Sequence, residues 1–81
     1  MNIPEDVLHN DVILKIIGNK EVIIENYKGI HLYTEDEIVI ACKKVILKIS
    51  GNDLHVNYFS GCDMKITGLI ESISYSMNGE L

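Results

Sequence analysis

Apolar residues in this chain fall in short alternating runs that recur every eight to ten residues, each closed by a Gly, Asn or Asp signal. Alternation with a period of two sets successive side chains on opposite faces of a strand, and turn signals at this spacing predict an antiparallel sandwich or barrel, not a βαβ fold. Strands are expected at about 11–17, 21–26, 29–34, 37–42, 44–50, 53–58, 63–68 and 69–75. The predicted class is all-β: a small antiparallel β-sandwich of the immunoglobulin-like class, with about seven to eight short strands in a single domain over 1–81. Its first ten residues, 1–10, form a short N-terminal lead segment. There Pro4 suits a first helical position and Glu5 and Asp6 favour the positive end of a helix dipole, enough for about one turn before Asp11.

The same alternation picks out the core. Val45, Leu47 and Ile49 share a face, as do Leu54, Val56 and Tyr58, then Ile38, Ile40 and Cys42, then Met64 and Ile66. In "GLIESISYS" the interval from Ile70 to Ile73 is odd, which predicts a one-residue bulge near Glu71 or Ser72. The turns have their own chemistry. "GNKE" (18–21) and "GND" (51–53) are expected to reverse the chain between antiparallel strands, because Gly and Asn tolerate positive φ. "NYKG" (26–29) fits a type I turn with Asn26 first and Gly29 left-handed after it, and "TEDE" (34–37) reads as a solvated turn.

One stretch is written almost twice: "VILKIIGN" (12–19) returns as "VILKISGN" (45–52). The likeness, which starts at an offset of 33 residues, continues through a strand, an Asn-Tyr pair and a Gly-containing turn, and has slipped to 32 at the second glycine. A solenoid needs about three or more stacked units, and the chain holds only two. Two similar three-stranded units packed face to face, or shared hairpin chemistry, remain as readings. Both concern architecture.

Composition narrows the function classes. The formal net charge is −5 with a pI near 5.0, so there is no basic stripe for a phosphate backbone and nucleic acid is not expected as a partner. Lys15, Glu25, Lys43, Lys44 and Lys48 interrupt every apolar segment before a membrane span could form, and "MNIPEDVLHN" lacks the pattern of a signal peptide. A cytoplasmic protein without direct membrane insertion is expected. At 47% hydrophobic and 23% charged the chain can bury a core, largely of Ile, Val and Leu.

Candidate chemistry is sparse. Cys42 and Cys62 lie 20 residues apart with no CxxC, and in the cytosol they are expected to be free thiols, buried or half-buried. His9, His31 and His55 are isolated and read as surface residues; Glu35, Asp36 and Glu37 supply too few ligands for a good calcium site. No cofactor or metal is expected, and no nucleophile, phosphate-loop or metalloprotease motif occurs. Tyr27, Tyr33, Tyr58 and Phe59 are either interface aromatics or the commoner tyrosine caps on a sandwich core.

Three segments, "VIIENYKGIHLY" (22–33), "ISGNDL" (49–54) and "ITGLIESISY" (66–75), resemble the YabP/YqfC family of bacterial sporulation proteins. Their order, the "IPEDVL" lead and the length look closest to its YqfC branch. The resemblance runs from Pro4 to Tyr75, and its motif positions are Ile24, Glu25, Asn26, Lys28, Gly29 and Ile30, then Gly51, Leu54, Gly68 and Ile73. The family more typically has a histidine where this chain has Tyr27. The resemblance implies a small β-sandwich made in the mother cell of an endospore-forming bacterium, with no enzymatic activity. It also implies a partner, a YqfD-like sporulation membrane protein encoded nearby, at the membrane surrounding the forespore.

The expected function is therefore a non-enzymatic adaptor or structural component that docks on a membrane protein at the forespore boundary. Its candidate contacts are Glu25, Asn26, Tyr27, Lys28 and Gly29. Turn and core roles explain most family positions, whereas Glu25 and Lys28 have no evident structural need. The alternative is a self-associating β protein, a homodimer through edge strands, without a membrane partner.

Overall fold

The computed structural model describes residues 11–77. The expected N-terminal turn, His9 and the side chain of Phe59 lie outside that description. Six strands make up the described chain: β1 (Ile13–Ile17), β2 (Glu21–Glu25), β3 (Tyr27–Tyr33), β4 (Glu37–Cys42), β5 (Val45–Ser60) and β6 (Asp63–Met77). They form one antiparallel sheet in the order β1-β2-β6-β5-β4-β3. The all-β class is as expected. The strand count is six because the last four expected strands fuse into two, β5 with 16 residues and β6 with 15.

The fusion explains the repeat. After "VILKII" the chain reverses: Gly18 takes φ 54, the Lys20 N–H donates to the Ile17 carbonyl at 3.3 Å, and β2 returns along β1. After "VILKIS" the chain does not reverse, contrary to the reading of "GND" as a hairpin turn. Gly51 stays opposite Ile70 and Asn52 opposite Leu69, so β6 carries β5 straight on. Two nearly identical stretches thus become a hairpin in one place and half of a long strand in the other. Tertiary pairing overrides local turn preference.

Both long strands bend where the fused segments meet. Between Ser50–Ser72 and Gly51–Ile70 the register skips Glu71, which is the bulge that the odd spacing of Ile70 and Ile73 predicts. A second shift separates Asn52–Leu69 from His55–Thr67, with Asp53 at φ 58 and Gly68 at φ 133. The two other reversals brace these bends. Asn19 and Lys20 accept from the N–H groups of Ile70 and Gly68, and Glu35 and Asp36 accept from those of Leu54 and Gly51. The two expected three-stranded units are therefore not separate. Each pairs its own hairpin, β1–β2 or β3–β4, onto one half of a shared bent pair.

Bending closes the core. Val22, Ile24, Met64 and Ile66 from one half and Ile38, Ile40, Leu47 and Ile49 from the other form one cluster, at most 1% exposed. A flat sheet of this size would leave both faces wet, so burial this complete requires the halves to fold over one another. Each such side chain contributes about 2 kcal/mol on leaving water. The row Leu54, Val56, Tyr58 fans outward from 0% exposed at Leu54 to 62% at Tyr58. No charged or polar residue is buried among the described residues.

Candidate partner-contact site

The expected contact residues occupy the junction where the chain leaves β2 and enters β3, crossing from one half of the sheet to the other. Asn26 makes that crossing. It sits at φ 69, a region that Asn tolerates better than most residues. Its N–H donates to the Cys62 carbonyl at 2.9 Å, and its side-chain Nδ2 donates to the Asp11 carbonyl at 3.0 Å. The left-handed residue of this segment is thus Asn26 and not Gly29, which lies within β3 with ordinary φ. The type I turn expected over 26–29 is replaced by a single-residue crossing.

Glu25 has a structural partner after all. Its carboxylate lies 3.3 Å from Lys15 Nζ across the β1–β2 pair, an exposed ion pair contributing at most about 1 kcal/mol. Tyr27 is half-buried against the core, and its N–H donates to the Cys62 carbonyl at 3.2 Å. Burial pushes its hydroxyl pKa up, with Tyr58, Cys62 and Asp63 adding to the effect. Tyr27 and Tyr58, the tyrosines of the two Asn-Tyr pairs, are therefore close enough to feel one another's charge.

Lys28 is the extra residue of a bulge. Tyr27 pairs with Cys42 and Gly29 with Ala41, which leaves Lys28 with no residue opposite. A bulge re-aims a side chain, and here it turns an ammonium into solvent, with no hydrogen bond or ion pair among the described residues. Gly29 has open space where a Cβ would stand. Of the five candidates, Glu25, Asn26 and Tyr27 have defined structural work, whereas Lys28 and Gly29 do not.

Other residues gather at the same end of the strands. The β4–β5 turn brings Lys43 and Lys44, the latter at φ 71, and the β5–β6 turn brings the exposed Cys62. Holding a lysine left-handed costs about 1 kcal/mol relative to glycine. Sequence reading missed this grouping because its members lie far apart in the chain and carry no motif. Cys42 is buried, and burial pushes its thiol up to about 11. Both cysteines are free as expected, but Cys62 is exposed.

Among the described residues no group of His, Cys, Asp or Glu could hold a metal ion, and no helix is long and apolar enough to cross a membrane. His31 and His55 are on the surface, His55 Nε2 lying 3.3 Å from Asp53 Oδ1. An open cleft of about 600 Å³ lies at the opposite end, against Lys20, Asn52, Asp53 and Leu69, away from all five candidates.

The model of the YabP family matches residues 9–81 of this chain, taking in every strand and the whole junction. The chain belongs to the YabP family. It is 25% identical over 75 residues to the uncharacterized protein YqfC of Bacillus subtilis (strain 168), covering 93% of this chain and 81% of that protein. No solved structure matches it. In this YabP-family chain the motif glycines divide by purpose: at Gly51 and Gly68 an added Cβ would meet backbone across the bends, while at Gly29 it would meet nothing.

Proposed function

We propose that this protein is a non-enzymatic sporulation protein, a small adaptor or structural component in the mother cell that docks on a membrane protein at the forespore boundary. The YabP/YqfC family is associated with sporulation, and membership supports that setting. The observation that carries the adaptor reading is the bulge at the β2–β3 junction. It spends an irregularity of the sheet on aiming Lys28 outward beside an uncrowded Gly29, and neither feature serves the fold. In this reading Lys28 and Gly29 contact the partner, and Asn26, anchored on both sides, holds them in place.

The test is the position of a fluorescently tagged copy in sporulating cells, with and without the neighbouring membrane protein. A ring around the forespore that disperses when that protein is missing is the expected result. Diffuse signal in both strains would sink the reading. At residue level, Lys28→Ala and Gly29→Leu should each weaken capture of the partner while the purified variants keep the parent's unfolding midpoint.

A second reading is self-association. It rests on the outer edges of β1 and β3, which end the sheet with unpaired backbone groups. A mass by light scattering that stays monomeric at every concentration would remove it.

A further inference from the structure

The two halves of the sheet follow one pattern, in sequence as well as in pairing. "EVII" (21–24) lies antiparallel to "MKITG" (64–68) and "EIVI" (37–40) to "LKISG" (47–51), with Val22 opposite Ile66 as Ile38 is opposite Ile49. The carbonyls of Asn19 and Lys20 accept N–H bonds from the bend of β6 as those of Glu35 and Asp36 do from the bend of β5. A pseudo-two-fold axis therefore exchanges β5 with β6. Judged by the residue each one faces, it matches Val56 with Ile73, Tyr58 with Tyr75 and Tyr33 with Ile16. Equivalent places can then be compared. On one side of the molecule the Val56 N–H donates to the Tyr33 hydroxyl and closes the gap between β3 and β5. On the other side Ile16 stands in the tyrosine's place and has no oxygen to offer Ile73.

Among the described residues, most lengths of open strand edge are blunted. β1 has five residues with Lys15 at their centre, and β3 is broken by two bulges whose extra residues are Lys28 and His31. Short length, a central charge and bulges each discourage further pairing. The outer edge of β5 past its bend is the one that Tyr33 occupies. The edge of β6 beyond Ile70 has none of these devices. β2 pairs only with 63–67, and no charged residue falls between Glu71 and Glu80. The Gly51 N–H turns to the Asp36 carbonyl, away from β6, so alternation turns the backbone groups of Ile49 the same way. Ile73, Tyr75 and Met77, opposite Ile49, Leu47 and Val45, therefore aim their N–H and C=O groups outward from the edge. Their side chains share the face of the buried Ile49 and Leu47, yet Tyr75 is 70% exposed and Met77 73%.

We infer that a second copy of this chain adds to the β6 edge from Ser72 to Met77, antiparallel, about a two-fold axis through Tyr75. In that register Tyr75 faces Tyr75 of the second copy, Ile73 faces its Met77 and Ser74 faces its Ser76. Apolar meets apolar on one surface and serine meets serine on the other, the self-complementarity that a two-fold contact requires. Every outward N–H and C=O of Ile73, Tyr75 and Met77 is matched. Charge favours the same occupant: two copies of net charge −5 repel, and an edge without charge is where they approach at least cost. One short edge is small beside the about 800 Å² per partner of a standard interface, so the dimer dissociates on dilution. The inference stands without the adaptor reading, and it puts self-association on β6 in place of the β1 and β3 edges.

The experiment is sedimentation velocity on the purified full chain across a concentration series, with amide hydrogen exchange measured at both ends of the series. A monomer–dimer equilibrium is expected, with the amides of Ile73 and Tyr75 slowed only where the dimer prevails. Tyr75→Lys and Tyr75→Glu each set like charges opposite one another on the axis, so each alone should raise the dissociation constant more than about tenfold. Mixed in equal amounts they should recover the dimer, because lysine then faces glutamate, and that recovery separates lost association from lost folding. Ile17→Lys on β1, Leu32→Lys on β3 and Lys28→Ala should leave the constant unchanged. Since Lys28→Ala is the variant that tests the adaptor reading, the two ideas fail separately. The inference is overturned by a chain that stays monomeric up to millimolar concentration, by a mixture that stays monomeric, or by a dimer lost in Ile17→Lys or Leu32→Lys and kept in the Tyr75 variants. A monomer whose Ile73 and Tyr75 amides nonetheless exchange slowly would also overturn it, assigning the edge to another segment of the same chain.

Discussion

The α-carbon of Gly51 faces the Leu69 carbonyl across the bend of the long pair, and a Cβ built on it would overlap that carbonyl. The obstacle is backbone that is itself committed to the β5–β6 ladder, so it cannot step aside as a flexible side chain would. Gly51→Ala is expected to cost about 3 kcal/mol or more, the upper range for overpacking a filled site. Gly61→Ala, where a Cβ meets nothing, should change stability by less than about 0.5 kcal/mol. Urea unfolding of the two variants beside the parent checks this. Equal midpoints would mean that the bend is not the tight point of the fold.

Asn26 supports the chain crossing in two separable ways, through its backbone conformation and through its side-chain bond to Asp11. Asn26→Ala loses both and should cost about 2 kcal/mol. Asn26→Gly keeps an easy left-handed backbone and loses only the side-chain bond, so it should cost about 1 kcal/mol. The order of the two variants in chemical unfolding is the readout. Should glycine prove the worse, the anchor to Asp11 would outweigh the conformation.

Local pattern made much of this fold legible. Period-two alternation found the rows Ile38, Ile40, Cys42 and Met64, Ile66, because buried faces demand apolar side chains whatever the topology. Odd spacing found the bulge at Glu71. Pattern could not tell that Gly51-Asn52 bends a strand while Gly18-Asn19 reverses it, because the difference lies in whether β6 runs alongside. The site was legible only as a motif. Resemblance located "ENYKG", but nothing local marked Lys28 as the bulged residue, nor Lys44 as its neighbour at the same end, since sheet register decides both.

The two thiols should behave very differently. Cys62 is exposed, whereas Cys42 is 3% exposed and ionises at about 11, so a neutral-pH thiol reagent should modify Cys62 rapidly and Cys42 only as fast as the protein opens. Denaturant should make the two equal. The Cys42 shift also sets a pH dependence. Folded, the thiol keeps its proton up to about 11, against an ordinary 9.0. Between those values the unfolded chain binds fewer protons, so stability falls as pH rises through that window and is unaffected below it. The loss approaches about 2–3 kcal/mol. Cys42→Ala should lack this part of the alkaline decline, and an unchanged slope in that variant would assign the decline to other groups, Tyr27 first among them.

Tyr33, at the end of edge strand β3, accepts a hydrogen bond from the Val56 N–H at 2.9 Å, which occupies a donor on the outer side of β5. The second half of β5 pairs with β6 on one side only, so this hydroxyl stands where a further strand would add. Tyr33→Phe keeps the ring and frees the N–H. Because water can reach the exposed donor, folding stability should shift by less than about 1 kcal/mol. Association should respond more: sedimentation velocity across a concentration series is expected to show a larger self-associating fraction in the phenylalanine variant than in the parent. If both sediment identically as monomers up to millimolar concentration, the tyrosine does not guard this edge, and what keeps the strand from pairing is the charge and twist of the edge itself.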